Sequence, residues 1–242
     1  MGANEFFILS EADVKRYGIE REFLRPVVAS ARLLTKHVKG YVFTEKDWNY
    51  ARARGEKVYL LWCFKRKGEI RGTNVLKYIE MGEEKGYNNR YLPRHRPVWY
   101  WVERRNPPDA FLVYMFRRGI RLVLNEFDAL ALNTLHCVYF RENVGRDETK
   151  VKALLAYLNS DVAFKLASRF VRIYGGGMYK LEPREAESIP VIDPEKLGEP
   201  ELEALASLFD ELDQVAREDR RREVQVRETI NNELRRIFSL KF

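Results

Sequence analysis

Residues 151–191 constrain the fold most, because an amphipathic helical pattern there runs directly into three consecutive glycines. Apolar residues recurring at steps of three and four predict one buried helix face. They are Leu154, Leu155, Leu158, Val162, Leu166 and Phe170. Gly175, Gly176 and Gly177 follow, and glycine accepts backbone angles that other residues avoid. The pattern predicts a packed helix that ends in a glycine cap or in an exposed sharp turn.

Short apolar segments in the middle of the chain predict a sheet. Strand-like runs recur there at intervals of about ten to fifteen residues. They cover residues 58–64, 98–102, 111–116, 120–124 and 130–140. The basic turn at residues 117–119 predicts a hairpin between two of them. We therefore predict the α+β class, with an antiparallel or mixed sheet, flanking helices and a helical C-terminal segment.

The two ends of the chain differ from this middle. A short strand is predicted at residues 6–9, and Ser10 fits a helix N-cap. Residues 21–34 are interpreted as helical or mixed, and residues 48–55 as a polar connection. Two apolar stripes after Glu201 predict two helices or one long bent helix. The predicted domains are residues 1–192 and residues 193–242, and the acidic helix of the second is expected to pack on the first domain or on a partner subunit.

Positive charge is concentrated in one part of the chain. Residues 65–121 contain fourteen basic and six acidic side chains, whereas the whole chain carries a net charge of +7. The remainder therefore has a net charge of −1, and aromatic residues are interleaved with the basic segment. Such a concentrated excess is typical of proteins that bind nucleic acid.

Composition narrows the class further. No apolar run approaches the length of a membrane span, and no signal-peptide pattern is present at the start, so a cytoplasmic protein without membrane association is predicted. Cys63 and Cys137 lack metal-ligand spacing and are interpreted as reduced thiols. Charged residues make up 33% of the chain and glutamine occurs only at Gln214 and Gln225, a bias that suggests a thermophile.

Three segments, taken in order, resemble a known protein family. They are GANEFFIL at the start, YIEMGEEKGYNNRYLPRHRPVWYWV in the middle, and the stretch that contains ALLAYLNS and RFVRIYGGGMYKLEPREAESIPV. Together they resemble the C-terminal target-recognition region of N6-adenine-specific DNA methyltransferases, in which this region follows the catalytic domain. The resemblance covers residues 2 to about 192.

The resemblance implies one part of a restriction–modification enzyme. This chain would recognise double-stranded DNA, while a methyltransferase catalytic domain or subunit elsewhere binds AdoMet and methylates an adenine flipped out of the duplex. AdoMet is therefore expected in that partner and not in this chain. No catalytic residue and no metal ligand is expected here.

Candidate DNA-binding residues lie on predicted loops, at the predicted hairpin tip and around the glycine turn. Base readout needs guanidinium or amide groups, and phosphate contacts need cations or close backbone approach. The candidates are Lys65, Arg66, Lys67, Arg94, His95, Arg96, Arg104, Arg105, Arg117, Arg118, Arg121, Asn133, Gly176, Gly177, Tyr179 and Lys180. Most of the arginines are expected on phosphates, and one or two on bases.

The sequence Asn106, Pro107, Pro108, Asp109 resembles the catalytic tetrad of amino-group DNA methyltransferases, whose last residue is aromatic and stacks on the flipped base. Asp109 cannot stack, and no glycine-rich strand-to-helix turn for AdoMet precedes it. The tetrad is therefore interpreted as a turn between strands. On this interpretation the chain lacks the catalytic domain.

Two alternatives remain open on the sequence. Asp109, Glu148 and Lys150 match a loose Asp…Glu-x-Lys pattern, in which two carboxylates would hold Mg²⁺ for a nuclease and the lysine would orient the attacking water. The chain could instead be a non-catalytic protein-interaction module. In that case the basic excess is solvated and any binding to DNA is weak and free of sequence preference.

Overall fold

Helices and short strands alternate throughout the computed structural model, which describes residues 1–117 and 119–239. The helices in this part are α1 (Asn4–Phe7), α2 (Glu11–Tyr17), α3 (Ala31–His37), α4 (Glu45–Ala53), α5 (Asn74–Glu84), α6 (Tyr91–Arg94), α7 (Glu142–Gly145), α8 (Glu148–Leu158), α9 (Asp161–Ala167), α10 (Pro183–Ala186), α11 (Glu199–Glu218) and α12 (Arg220–Phe238). The strands are β1 (Ile8–Ser10), β2 (Leu24–Val28), β3 (Val42–Phe43), β4 (Lys57–Leu61), β5 (Ala110–Val113), β6 (Met115–Phe116), β7 (Arg121–Asn125), β8 (Leu130–Ala131), β9 (His136–Val138), β10 (Arg172–Tyr174) and β11 (Met178–Lys180).

The described strands form three small sheets. In the first sheet, β1, β4 and β2 are antiparallel neighbours, and β8 joins β2 in parallel. In the second, β3 joins β7 in parallel, and β5 lies antiparallel between β7 and β9. The third has the antiparallel order β10, β11, β6. The predicted α+β class with an antiparallel or mixed sheet is confirmed. The predicted hairpin is present as the pairing of β5 with β7, but the strand predicted at residues 111–116 is divided, because β5 ends at Val113 and β6 pairs with β11 in the third sheet.

Side-chain caps fix several helix starts. The predicted N-cap at Ser10 is confirmed, because its Oγ accepts a hydrogen bond from Asp13 N at 3.2 Å while Ser10 N donates to Asp13 Oδ2 at 2.9 Å. Thr44 and Asp47 form the same reciprocal pair at the start of α4. This capping box was the missed signal there, and the predicted polar connection at residues 48–55 is wrong. Trp48 belongs to α4, and its side chain is buried.

Aromatic residues explain two further differences from the predicted elements. The strand predicted at residues 98–102 is absent from the described structure. Tyr100 is buried there, and its hydroxyl donates to Lys65 O at 2.8 Å. The aromatic side chains of this segment therefore pack in or against the first core, and its backbone pairs with no described strand. Phe6 and Phe7 likewise end a short helix, and the strand begins only at Ile8.

Two other predicted segments are corrected. Leu24–Val28 is a strand that includes Pro26, where a helical or mixed segment was predicted, and Pro26 lies opposite Tyr59 of β4. Residues 130–140 hold two strands, β8 and β9, which belong to different sheets. The amphipathic pattern after residue 151 extends over two helices, α8 and α9, because Ser160 caps a new helix through its hydroxyl.

The buried side chains form two cores. The first core is built from residues between Ala3 and Leu135 around the first sheet. The second core combines α8, α9, α11 and α12 with one face of the second sheet. Side chains alternate across a strand, so β5 serves both: Phe111 and Val113 belong to the first core, Ala110 and Leu112 to the second.

The C-terminal helices complete the second core. Leu205, Phe209 and Leu212 of α11 are fully buried, as are Ile230 and Leu234 of α12. Each side chain of this size contributes roughly 1.5–3 kcal/mol when it is removed from water. The acidic helix that begins at Glu199 therefore packs on the rest of the chain, as expected.

An ion-pair network also ties α11 to the first half of the chain. The Arg217 guanidinium lies 3.1 Å from Asp47 Oδ1 in α4 and 2.9 Å from Asp213 Oδ2 in its own helix. Arg217 Nη2 donates to Val42 O at 2.6 Å, and Asp213 Oδ1 accepts from Val42 N at 2.9 Å. The two cores are thus joined by polar contacts as well as by β5.

Candidate nucleic-acid interface

The predicted DNA-binding residues fall into two surface regions. The first borders the first sheet and contains Lys65, Arg66, Lys67, Arg94, His95, Arg96, Arg104, Arg105 and Asn133. The second follows the third sheet and contains Arg117, Gly176, Gly177, Tyr179 and Lys180. Arg121 lies in β7 between them, and Arg118 lies outside the described residues.

A cleft of about 410 Å³, here called the Asn133 cleft, lies in the first region. Apolar side chains such as Leu60 and Trp62 line it together with the polar groups of His95, Arg105 and Asn133. Asn133 is exposed, and none of the described residues forms a hydrogen bond with its amide. Because an amide offers both donors and an acceptor, this side chain can pair with a base edge.

One wall of the Asn133 cleft is the turn formed by α6. Pro93 is buried and anchors the turn, whereas Tyr91 is 70% exposed. The Arg94 guanidinium lies 5.4 Å from the centroid of the Tyr91 ring, and His95 Nδ1 lies 2.5 Å from Tyr91 O. The turn therefore holds a cation, an aromatic ring and an imidazole at the surface beside the cleft.

Several predicted cations already contact acidic side chains. Lys67 Nζ lies 2.5 Å from Glu83 Oε2, and Arg105 Nη2 lies 2.5 Å from Glu103 Oε2. Lys65 Nζ lies 3.6 Å from a Glu22 oxygen. Exposed pairs of this kind contribute only about 0–1 kcal/mol, so a phosphate could replace the carboxylate with little loss of stability.

The guanidinium groups of Arg66 and Arg104 form no ion pair with an acid among the residues that the structure describes, although the backbone N–H of Arg66 donates to Glu69 Oε2 at 2.6 Å. Both are exposed. The Arg104 guanidinium lies 4.3 Å from the centroid of the Phe64 ring, which orients it without neutralising its charge. These two arginines can therefore meet a phosphate directly.

Arg96 and Arg121, two residues of the predicted set, have guanidinium groups that bond to the backbone of the fold. Arg121 donates to Val38 O at 2.6 Å and to Gly40 O at 2.8 Å, beyond the end of α3. Arg96 donates to Met1 O at 2.9 Å and to Trp99 O at 3.2 Å. Burial lowers the pKa of both guanidinium groups. Their contact with DNA stays a prediction.

Tyr179, another residue of the predicted set, has a ring that packs against other aromatic side chains. It stacks on Phe116 with a centroid distance of 5.9 Å and meets Phe164 edge-on at 5.5 Å. Its neighbour Lys180 lies on the opposite face of β11, with its Nζ 2.6 Å from Glu182 Oε1.

The third sheet brings two separately predicted loops together. β11 pairs with β6 so that Tyr179 lies opposite Phe116 and Lys180 opposite Met115. One further step of this antiparallel register places Arg117 beside Met178, next to the glycines. The glycines themselves form the tip of the β10–β11 hairpin, because Tyr174 pairs with Met178. Of the two predicted outcomes, the structure has the exposed sharp turn.

The model of the family described as Type II methyltransferase M.Eco57I, C-terminal domain, matches residues 1–234. This chain belongs to that family. The predicted resemblance to the C-terminal target-recognition region of DNA methyltransferases is confirmed at this level.

Two curated relatives are likewise named Type II methyltransferases. M.AccI of Acinetobacter calcoaceticus, named a Type II methyltransferase, is 28% identical over 210 residues, which are 87% of this chain and 37% of M.AccI. The Type II methyltransferase M.XamI of Xanthomonas campestris pv. amaranthicola is 28% identical over 123 residues, 51% of this chain and 22% of M.XamI. This chain thus spans 37% or less of the length of these relatives.

A solved structure shares the fold. The type IIG restriction endonuclease BpuSI matches with a TM-score of 0.54 over 87% of this chain and 24% of its own length. The sequence identity is 14%, so the similarity concerns the fold alone.

One motif of the resemblance has a structural role. In the segment LNS, Asn159 is 1% exposed and Ser160 is 2% exposed. Asn159 forms hydrogen bonds with the backbone of Leu122, and Ser160 caps α9. The motif therefore stabilises the fold through buried hydrogen bonds.

Beside the glycine tip the sequence prediction included Lys180 but missed Lys165, Arg169 and Arg172. Residues 162–181 contain Lys165, Arg169, Arg172 and Lys180 and no acidic residue. The signal was available, but the charge count was centred on residues 65–121. In the structure these residues extend from α9 through the β10–β11 hairpin.

The groups of the nuclease alternative have other contacts. Asp109 Oδ2 accepts a hydrogen bond from Phe140 N at 2.6 Å, and Lys150 Nζ lies 3.7 Å from Asp147 Oδ2. Within the described part of the chain, no three or more His, Cys, Asp or Glu side chains are grouped as metal ligands. Cys63 and Cys137 are free thiols, and burial raises the pKa of each.

In residues 1–117 and 119–239, no helix combines the length and apolar character that crossing a membrane requires.

Proposed function

We propose that this chain recognises a target sequence in double-stranded DNA for an AdoMet-dependent adenine-N6 methyltransferase of a restriction–modification system. Membership of the M.Eco57I C-terminal family carries the proposal. Since the chain corresponds to 37% of M.AccI, methyl transfer is assigned to another domain or subunit. That partner would bind AdoMet and the flipped adenine, and the complex would act in the cytoplasm, where bacterial DNA lies.

The exposed polar side chains would have different roles in binding DNA. Arg66 and Arg104 would bind phosphates and so position the duplex. The Asn133 amide would read a base edge, and its preferred partner is adenine, which offers an acceptor and a donor side by side. His95 and Arg105 in the same cleft would add a second contact to the bases or the backbone.

Selection from a randomised duplex library, repeated over a salt series with the purified chain, tests the proposal. We expect a consensus sequence and a log–log salt slope of about 0.9 for each phosphate neutralised. Asn133→Ala should relax one position of the consensus by about 1–3 kcal/mol and leave the slope unchanged. Arg104→Ala should lower the slope by about one unit without changing the consensus.

A matched control is Arg222→Ala, which removes an exposed arginine of α12. The DNA affinity of this variant should stay within about twofold of that of the native chain. Arg222 lies on α12, outside the two surface regions of the candidate residues, and its exposed ion pair with Glu218 contributes little. Absence of binding at low salt would contradict the DNA function and favour a protein-interaction module. Binding without any consensus would contradict target recognition by this chain.

The modified base is tested separately. Genomic DNA of the source organism should carry N6-methyladenine within the selected consensus. Methylcytosine at that site, with adenine unmodified, would contradict the adenine-N6 part and leave DNA recognition intact.

A further inference from the structure

The three strands β6, β10 and β11, here called the hairpin sheet, have two different faces. Residues paired directly across antiparallel strands share a face. Ile173, Tyr179 and Phe116 therefore lie on one face, and Arg172, Lys180 and Met115 on the other.

The first face fixes the hairpin on the second core. Phe116 is 8% exposed, and Tyr179 stacks on it and meets Phe164 of α9 edge-on. Ile173 is on the same face but lies beyond this packing, and it is 71% exposed. The base of the hairpin sheet is anchored, and its outer strand projects from the protein.

The opposite face carries positive charge. Arg117 and Arg172 are exposed there, and Arg172 has one acidic contact, with its Nε 3.0 Å from Glu185 Oε1. Arg169, at the end of the turn after α9, is also exposed. Among the described residues, no acid lies within ion-pair distance of Arg117 or Arg169. The charge of this surface is complementary to a polyanion.

The tip is unusually thin. Gly176 and Gly177 have φ values of +74° and +70°, and a Cβ on any glycine at positions 175–177 would meet nothing within 4 Å. The two strands behind the tip are roughly 5 Å apart. With no side chains, the tip presents only backbone N–H and C=O groups to a partner.

We infer that the tip of the β10–β11 hairpin enters the minor groove of duplex DNA, with Arg117 and Arg169 on the flanking phosphates. The minor groove is about 6 Å wide, half the width of the major groove, so it admits the bare glycine turn and not the full width of the two-stranded ribbon behind it. Proteins that bind there commonly combine arginines with exposed apolar residues such as isoleucine. Ile173 would contact the sugar wall. The inference rests on the proposed function and assigns one groove to one element.

Uniformly modified duplexes distinguish the grooves. Replacing adenine by 2,6-diaminopurine adds an amino group in the minor groove, whereas replacing thymine by uracil removes a methyl from the major groove. We expect the native full-length chain to bind the diaminopurine duplex at least about fivefold more weakly than the unmodified duplex, about 1 kcal/mol.

The matched variant is Gly176→Asn with Gly177→Asn, because asparagine tolerates positive φ and adds side chains to an open tip. It should bind the unmodified duplex about tenfold more weakly and lose the diaminopurine penalty. The control Gly55→Asn has φ of +77° in the native chain and equally open surroundings, and should bind like the native chain.

Two results would overturn the inference alone: tip variants that bind like the native chain, or an unchanged diaminopurine penalty in them while duplex binding persists. The native chain could bind the uracil duplex more weakly than the unmodified duplex, with the tip variants losing this difference. That result would place the hairpin in the major groove, which also overturns the inference. Absence of any duplex binding by the native chain would overturn the proposed function as well.

Discussion

Asn159 pairs with the backbone of Leu122 in the way that a neighbouring strand would. Its Oδ1 accepts a hydrogen bond from Leu122 N at 2.9 Å, and its Nδ2 donates to Leu122 O at 2.9 Å. A second amide hydrogen bond goes to Leu155 O at 3.0 Å. One buried side chain thus joins the end of α8 to β7, the strand that carries the second core.

Asn159→Ala should lower the free energy of unfolding by about 1–3 kcal/mol, because it leaves two buried backbone groups without partners. Asn159→Asp should cost more, since a carboxylate cannot donate to Leu122 O and its charge would be buried. Urea denaturation measures both. Asn143→Ala, at an exposed position, is the control and should change stability by less than about 0.5 kcal/mol. An equal effect at both asparagines would refute the strand-like role.

Glu11 makes stability depend on acid pH. A hydrogen bond from Arg21, at 2.5 Å, is the main cause that holds the pKa of its carboxyl below the usual 4.5, and Tyr59 OH donates to the other oxygen at 2.6 Å. A depressed folded-state pKa stabilises the protein above pH 4.5, and this contribution is lost as pH falls through the lowered pKa. Glu11→Gln should therefore be about 0.5–1 kcal/mol less stable at pH 7, and the difference should shrink as the pH falls below 4.5.

The comparison needs denaturation curves at several pH values, with Glu22→Gln as the control. Glu22 is 63% exposed and lies 3.6 Å from Lys65. Its loss should have little effect at any pH. A gap between Glu11→Gln and the native chain that stays constant down to pH 3 would rule out this linkage.

Gly82 leaves space for two aromatic rings. A Cβ at this position would lie 2.5 Å from Phe6 Cε2 and 2.8 Å from Trp99 Cη2. Alanine favours a helix over glycine by about 1 kcal/mol, but forced movement of packed rings costs about 1–3 kcal/mol. Gly82→Ala should therefore be destabilised in thermal or urea unfolding. Gly68→Ala, where a Cβ meets nothing within 4 Å, should be neutral, and a stabilised Gly82→Ala would show that the rings can shift freely.

Arg121→Met should separate stability from DNA binding. Removing the guanidinium leaves the carbonyls of Val38 and Gly40 without their donor, which should cost about 1–3 kcal/mol. DNA affinity and the salt slope of the folded fraction should not change, in contrast to Arg104→Ala. A salt slope lowered by about one unit in Arg121→Met would return Arg121 to the DNA-binding set.

Removal of residues 201–242 should unfold the second core. The deletion exposes the partners of Leu205, Phe209 and Leu212, three side chains with no exposed surface. Truncating even one large core residue typically costs 2–5 kcal/mol, and a whole domain has only about 5–15 kcal/mol of stability. Circular dichroism of the truncated chain should show loss of helix well beyond the deleted residues. A cooperative melt of the truncation would show that residues 1–200 fold alone.

Patterns local in sequence predicted much of the fold. The N-cap at Ser10, the β5–β7 hairpin and the C-terminal apolar stripes depend on neighbours within a few residues, so their signals are present in the chain itself. The aromatic run at residues 98–102 has the composition of a strand, but it lies in the first core without a ladder partner. Periodicity does not distinguish those two outcomes.

The candidate site was predictable as a charge type but not as a geometry. Arg104 and Arg121 are both arginines in basic segments, yet one is exposed over Phe64 and the other donates to carbonyls beyond α3. That difference depends on contacts between residues forty positions apart for Arg104 and more than eighty apart for Arg121. The register that places Arg117 beside the glycine tip is equally non-local. Sequence alone therefore identified a binding class and an excess of candidates.

The alternation of β5 between two cores has a consequence for how the molecule opens. Because each core uses every second side chain of this strand, neither can detach while the other keeps β5 in place. The amide protons of Phe111 and Leu112 should consequently be among the last to exchange with deuterium, at a rate set by global unfolding. Under the proposed function, a motion that accommodates DNA must therefore occur away from β5, while the β5–β7 hairpin stays closed.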